Sequence, residues 1–207
     1  TSVAGNEKAI GYISLGALND TVKAVKVDGA EATVDNVKAG AYKLSRPFNI
    51  ATKGEPTGVA KDFINFILSK EGQAVVTDNK YIAVNDAAES FVSDGSSGQI
   101  AVGGSSSVSP VMEKLIEAYK SVNPNASIDL QTSDSTSGMT GAMDGTFAIG
   151  MASRELKDEE AAQLTGTAIA LDGIAVIVNP ANTIDELSMD QIKSIYVGDI
   201  TDWGDLA

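Results

Sequence analysis

The sequence predicts an α/β fold with a largely parallel sheet, and three observations carry that prediction. From residue 99 onward, apolar stretches of strand length alternate with amphipathic stretches of helix length. Hydrophobic residues are 43% of the chain while aromatics are only 5%, so the core is aliphatic. The 207 residues, 21% of them charged, have an ordinary globular composition and are enough for one large domain or two small ones. No apolar run approaches the roughly 18 residues of a membrane span.

Taken in order, residues 9–15 (AIGYISL) read as a buried strand and 22–27 (VKAVKV) as an alternating one, closed by the turn signal Asp28-Gly29. Residues 41–47 are irregular and lead into a short apolar strand, 48–51. After the break at Gly54-Glu55-Pro56, residues 58–76 carry Val59, Phe63, Phe66 and Ile67 at helical spacing. Residues 81–84 are extended. Residues 86–98 (DAAESFVSDGSSG) are Ser- and Gly-rich and read equally as a linker or a long surface loop. Then come a strand (99–102), a Gly/Ser loop (103–109), a helix with Pro110 at its first position (110–122) and a strand (126–131). A second Ser/Thr/Gly loop (132–138) leads into a short helix to Asp144, followed by strands at 147–151 and 168–178. Ser188-x-x-Gln191 is a capping-box signature opening a helix to Tyr196.

Composition excludes several chemistries. The chain has no Cys and no His, so it has no disulfide, no thiolate or imidazole metal ligand, and no Cys-His or Ser-His-Asp machinery. With 15 Lys plus Arg against 28 Asp plus Glu, the net charge is −13, the wrong sign for nucleic acid or an anionic membrane surface.

What remains are two loops of one design, each strand, hydroxyl-rich turn, helix: 103–110 (GGSSSVSP) and 132–138 (TSDSTSG). A helix N-terminus carries unpartnered N–H groups and partial positive charge, and small residues let an anion approach them. Two such turns after parallel strands fall on one sheet edge, where ligands of α/β folds bind. The plainer reading is that these hydroxyls are N-caps. Neither loop is a phosphate-cradling nucleotide motif, since no Gly-Lys-Ser/Thr and no GxGxxG is present. Arg154, in ASREL (152–156), is either a bidentate anion ligand or the partner of Glu155 or Asp158. Asp172, within an apolar run, is a turn residue or a buried acceptor, and Trp203 is a ligand platform or, more simply, a core residue.

On these residues the chain resembles the phosphate-binding proteins of bacterial phosphate ABC transporters, in the Gram-positive branch. GGSSSVSPVMEKLIEAY is similar to the family's opening strand, loop and helix, and STSGMTGAMDGTFAIGMASRELK to its second loop, helix and strand. TAIALDGIAVIVNP with LSMDQIKSIYVGDITDW is similar to its first crossing between lobes. AIGYISLG, RPFNIATKGEP and DFINFILSKEGQAVV are similar to its closing portion. The closing portion comes first here and the opening portion last. The resemblance therefore implies a circularly permuted chain, or a tandem pair cut within each copy.

The implied fold is a periplasmic-binding-protein-like (type II) α/β fold of two lobes, circularly permuted, with the second lobe incomplete. Its expected organisation is residues 1–47 in lobe two, 48–86 in lobe one, 87–98 a linker, 99–178 in lobe one and 179–207 in lobe two. Residues 48–51 and 174–178 are the expected hinge strands. The family's Ser-Gly-Thr-Arg motif has no match in this sequence. The resemblance places Ser106, Ser107, Ser135, Thr136, Ser137 and Ser153 at inorganic phosphate. Many members carry Asp where Ser153 stands, which puts discrimination against sulfate in question. It further implies an extracellular, cell-surface protein, lipid-anchored in its precursor, that delivers phosphate to a membrane permease. No cofactor, metal, nucleic acid or catalysis is expected, and a chain-swapped dimer is one way to complete the site. The rivals are an interaction or sensor module with the same fold, and an enzyme acting on phosphate esters.

Overall fold

The computed structural model describes residues 2–206. In chain order its strands are β1 (Ile10–Ser14), β2 (Lys23–Ala24), β3 (Lys26–Val27), β4 (Ser45–Thr52), β5 (Ile82–Ala83), β6 (Gly98–Ser105), β7 (Ala126–Ser133), β8 (Ile149–Ala152), β9 (Thr165–Val178) and β10 (Glu186–Leu187). Its helices are α1 (Val34–Lys38), α2 (Gly58–Leu68), α3 (Lys70–Asp78), α4 (Ser109–Val122), α5 (Ser135–Asp144), α6 (Asp158–Ala161) and α7 (Met189–Val197). The chain divides into two compact units. One is Arg46–Leu171; the other combines Thr1–Ser45 with Asp172–Ala207.

In the Arg46–Leu171 unit the strands lie in the order β9, β4, β8, β6, β7, with β5 beside β9. β6 runs parallel to β7 and β8, because α4 and α5 supply the crossover connections that parallel strands need. β4 and β5 pair antiparallel, with β8 and β9 respectively. Successive strand residues face opposite ways. Phe48, Ile50, Val102 and Met151 therefore join Phe63, Phe66, Met112, Leu115 and Tyr119 of α2 and α4 in one core. Ala51 and Ala152 meet Met139 and Ala142 of α5 in another.

The stretch read as a single helix over 58–76 is two, α2 and α3, broken at Ser69. The Ser69 hydroxyl donates to the Phe66 carbonyl at 2.7 Å and accepts from the Gly72 N–H at 3.2 Å, capping α3. A Cβ on Gly72 would stand 2.1 Å from the Phe66 carbonyl oxygen, so the close turn requires glycine there.

In the second unit β1 pairs antiparallel with Ile174–Val178 of β9 along its whole length. The stretch read as one strand, 22–27, splits at buried Val25. β2 pairs with β9, whereas β3 pairs in parallel with β10. The chain passes between the units at 45/46 and 171/172. The second passage precedes the stretch 174–178 expected as a hinge, since that stretch is taken up by pairing with β1. Short α1, capped by Thr33, had no counterpart in the sequence reading.

Of residues 87–98, expected as a linker, Gly98 opens β6, and 87–97 have no helix or strand but make the following contacts within the Arg46–Leu171 unit. The carboxylate of buried Asp62 on α2 accepts from Ser93 Oγ at 2.8 Å, Asp94 N–H at 3.0 Å, Tyr119 Oη at 2.7 Å and Asn123 Nδ2 at 3.2 Å. Asn123 Nδ2 also donates to the Ser96 carbonyl at 2.8 Å. Phe91 packs edge-on against Phe66 at 5.3 Å, and its N–H donates to Glu71 at 2.7 Å.

Candidate functional site

Strand register assembles the candidate site. Ser105 of β6 lies opposite Ser133 of β7, and Gly104 lies opposite Met151 of β8. The carboxyl ends of the three strands therefore align, and residues 106–107, 134–137 and 153–154 leave from one edge, all within the Arg46–Leu171 unit.

Two glycines let this edge close up. Gly104 has φ +137, and a Cβ there would stand 2.3 Å from the Met151 carbonyl oxygen and 2.9 Å from the Gly138 Cα. A Cβ on Gly138 would stand 2.7 Å from both the Gly104 Cα and the Met151 oxygen. The start of α5 thus rests on bare backbone of β6 and β8, which only glycine permits.

Hydroxyls then tie the loops together. Ser105, 3% exposed, pairs its hydroxyl with that of Ser153 at 3.0 Å and accepts from the Ser107 N–H at 3.3 Å. The Ser153 N–H donates to Ser135 Oγ at 3.2 Å, and the Ser106 N–H to the Ser133 carbonyl at 2.9 Å. Beneath them Thr132 Oγ1 donates to Ser109 Oγ at 2.8 Å, and Ser109 Oγ to the Ser105 carbonyl at 3.2 Å.

The two helix starts differ. No side chain caps α4: Val108 occupies the cap position, Pro110 sits in the first turn, and the Ser109 hydroxyl is spent on Ser105. The α5 start is already served by an anion of the protein's own. Asp134 Oδ1 accepts from the N–H groups of Thr136 at 2.8 Å and Ser137 at 3.0 Å, and Oδ2 accepts from Ser137 Oγ at 2.7 Å. The Ser137 hydroxyl comes first among the bonds that hold the exposed Asp134 carboxyl below the usual carboxylate range.

Of the six residues singled out from the sequence, Ser106, Ser107, Ser135 and Ser153 are brought together at the edge. Ser137 gives both its N–H and its hydroxyl to Asp134. Thr136 also gives its N–H to Asp134, and its hydroxyl accepts from Arg154 Nη2 at 3.4 Å.

Arg154 is tied inward, to a partner other than the Glu155 carboxylate or Asp158. Nη1 and Nη2 grip the two oxygens of buried Glu160 at 2.7 and 2.8 Å, and Nη1 also donates to the Glu155 carbonyl at 2.9 Å. The Lys157 N–H donates to the same Glu160 carboxylate at 2.8 Å. The hydrogen bonds from Arg154 are the first cause holding the Glu160 carboxyl below its ordinary range.

Sequence reasoning missed Asp134, Glu160, Gly104 and Gly138. Asp directly before a helix is a cap signal, and Gly inside a strand pattern signals close backbone approach. Glu160 left no such mark. Among the described residues no group of three or more His, Cys, Asp or Glu is placed to hold a metal ion. Among the described residues no helix is long and apolar enough to cross a membrane.

An α/β sheet edge carrying hydroxyl loops and an uncapped helix start is the architecture of a substrate-binding fold, and the model of the PBP superfamily domain matches residues 90–207. The crystal structure of the phosphate-binding protein of a phosphate ABC transporter from Streptococcus pneumoniae superposes with a TM-score of 0.90 at 47% identity. That match covers all of this chain and 80% of that one. "Phosphate-binding protein PstS 2" of Streptococcus agalactiae is 52% identical over 209 residues, spanning the whole chain and 71% of that protein. "Phosphate-binding protein PstS" of Staphylococcus haemolyticus is 38% identical over 111 residues, half of this chain. The chain belongs to the PstS family of phosphate-binding proteins, with a periplasmic-binding-protein-like α/β fold.

Proposed function

We propose that the chain binds inorganic phosphate at the β7–β6–β8 edge and serves as the extracellular substrate-binding component of an ABC transporter, handing phosphate to a membrane permease. One observation carries this reading. The start of α4 lacks a side-chain cap where Ser106, Ser107, Ser135 and Ser153 converge. A tetrahedral oxyanion there meets hydroxyl donors and the positive end of a helix. The acidic surface is compatible with this, because short hydrogen bonds from neutral groups decide affinity inside a site while salt screens the long-range field.

We also propose that the segment order is permuted relative to relatives such as the Staphylococcus protein. One alignment spans the whole chain against the S. agalactiae protein, whereas the Staphylococcus match stops at half.

Isothermal titration with phosphate, with sulfate as control, tests the binding reading. Saturable phosphate binding that weakens about tenfold in Ser106→Ala and Ser153→Ala, the loss of one hydrogen bond to a charged ligand, supports it. No response to phosphate overturns it.

A further inference from the structure

β4 lies inside the sheet, between β9 and β8, and its side chains are buried from Phe48 to Thr52. Asn49, 4% exposed, is out of place in that run. Asparagine is a poor strand former, and a buried amide costs free energy unless it is hydrogen-bonded. Thr52, the other polar residue there, spends its hydroxyl within its own turn, on the Gly54 carbonyl at 3.1 Å. Asn49 instead reaches across to the end of the neighbouring strand.

The β4–β8 pairing ends at Asn49 opposite Ala152. Past that pair, Asn49 Nδ2 donates to the Arg154 carbonyl at 3.0 Å and to Glu155 Oε2 at 3.5 Å. The side chain thus carries the attachment of β8 to β4 beyond the last backbone pair. The residue held between the two attachments is Ser153. Its hydroxyl pairs with that of Ser105 at 3.0 Å, and its N–H donates to Ser135 Oγ at 3.2 Å, so it joins the other two loops of the edge. The remaining bonds of this loop, from the Arg154 guanidinium and the Lys157 N–H to Glu160, fasten its later part. Asn49 is the side chain of β4 that fixes the backbone next to Ser153.

We infer that Asn49 is a positioning residue of the phosphate site: by holding the Arg154 carbonyl it sets where Ser153 presents its hydroxyl to the anion. This deepens the proposed phosphate reading and rests on it. Hydrogen bonds weaken steeply once length and angle leave their narrow range, so a small shift of residues 153–155 forfeits the contact that Ser153 offers. Asn49 acts through Ser153 and not on the anion itself.

A positioning role and a merely structural one differ in what they couple to, which a double-mutant cycle reads. Asn49→Val removes the donor and leaves a good strand former; Asn49→Ala is the smaller alternative should the branched side chain not fit. Isothermal titration with inorganic phosphate, on variants shown to be folded by circular dichroism, is expected to give affinity lowered about fivefold to tenfold in either. With Ser153→Ala added, the double variant should bind within about twofold of Ser153→Ala alone, because no hydroxyl is left to place. With Ser106→Ala added instead, the two losses should multiply, because the Ser106 N–H is held by the Ser133 carbonyl and not by residues 153–155. Single variants that bind within about twofold of wild type, or losses that multiply with Ser153→Ala as they do with Ser106→Ala, overturn the role of Asn49 while the phosphate reading stands. If wild type does not bind phosphate, both are overturned.

Discussion

The segment 87–97 and the loops of the β7–β6–β8 edge are built from nearly the same residues, Ser, Gly and Asp, and have opposite fates. In the first, polar groups turn inward onto a buried carboxylate. Asp62 gathers Ser93, Asp94, Tyr119 and Asn123, and Phe91 is drawn in beside Phe66. In the second, the carboxylate is exposed Asp134, which holds only its own helix start and leaves Ser106 and its neighbours at the surface. Hydroxyl-rich composition therefore does not make a ligand site. What decides is whether a buried acceptor has already claimed the donors.

The largest expected effect is at Asp62. Asp62→Ala leaves the buried Tyr119 hydroxyl and Asn123 amide and the half-buried Ser93 hydroxyl without the acceptor they share, at a cost of about 3 to 5 kcal/mol. Chemical denaturation should show that loss, and limited proteolysis should cut within 87–97 faster than in wild type. Phosphate affinity of the folded variant should hold within about twofold, because no edge residue touches Asp62. A matching loss of affinity would erase the distinction between the two regions. Burial pushes the Asp62 carboxyl up, but the Asp94 N–H, Tyr119, Ser93 and Asn123 outweigh it and leave it below the usual range. A lowered folded-state value means the stabilisation is present above the unfolded carboxylate's pKa and is lost as pH falls through the folded one. Wild type should thus lose stability over that acid window, and Asp62→Asn should lose less across it.

Gly104→Ala comes next. The new methyl meets the Met151 carbonyl at 2.3 Å on a backbone with φ +137, and overpacking with strain costs about 2 to 4 kcal/mol. Here stability and phosphate binding should fall together, since β6 and α5 must separate and Ser105 moves with them. A Gly104→Ala protein that binds phosphate as wild type does would show that the glycine contact does not position the edge.

The alternation of strands and helices, the parallel sheet and the hydroxyl loops were legible because each follows from local spacing and turn chemistry. The break at Ser69 was not, because Val59, Phe63, Phe66 and Ile67 keep helical spacing right up to the break and the turn depends on a glycine meeting a carbonyl across it. Splitting residues 22–27 depended on which strands, β9 and β10, happened to lie beside each half. Arg154 illustrates the same limit at the site. One of its two readings paired it with Glu155 or Asp158, and the fold supplies Glu160 instead, six residues away and at the far end of α6.

That pair gives a smaller effect. Glu160→Gln keeps the size and some hydrogen bonding but leaves Arg154 uncompensated, with about 1 to 2 kcal/mol lost in denaturation. It also removes the negative charge that holds the guanidinium inward, so Arg154 becomes available to an anion beside Thr136. Phosphate and sulfate should then both bind more tightly, without a change in their ratio. A changed ratio would mean that Glu160 acts on the bound anion itself and not only through Arg154.

The smallest effect on stability should come from Asp134→Asn, and it completes the comparison, since the same carboxylate-to-amide change is made at both ends of the burial scale. At Asp62 the amide brings two donors into a nest of donors, where they conflict. At Asp134 the amide oxygen still accepts from the Thr136 and Ser137 N–H groups, while its nitrogen takes the place of Oδ2 beside the Ser137 hydroxyl, which turns from donor to acceptor. The loss is confined to the charge–dipole part of the cap, a few tenths of a kcal/mol, and it should shrink further with added salt. A shift in denaturation midpoint as large as that of Asp62→Asn would mean the edge carboxylate is as structural as the buried one. A negligible shift would mean that the charge of Asp134 adds nothing to the cap beyond what a neutral acceptor gives.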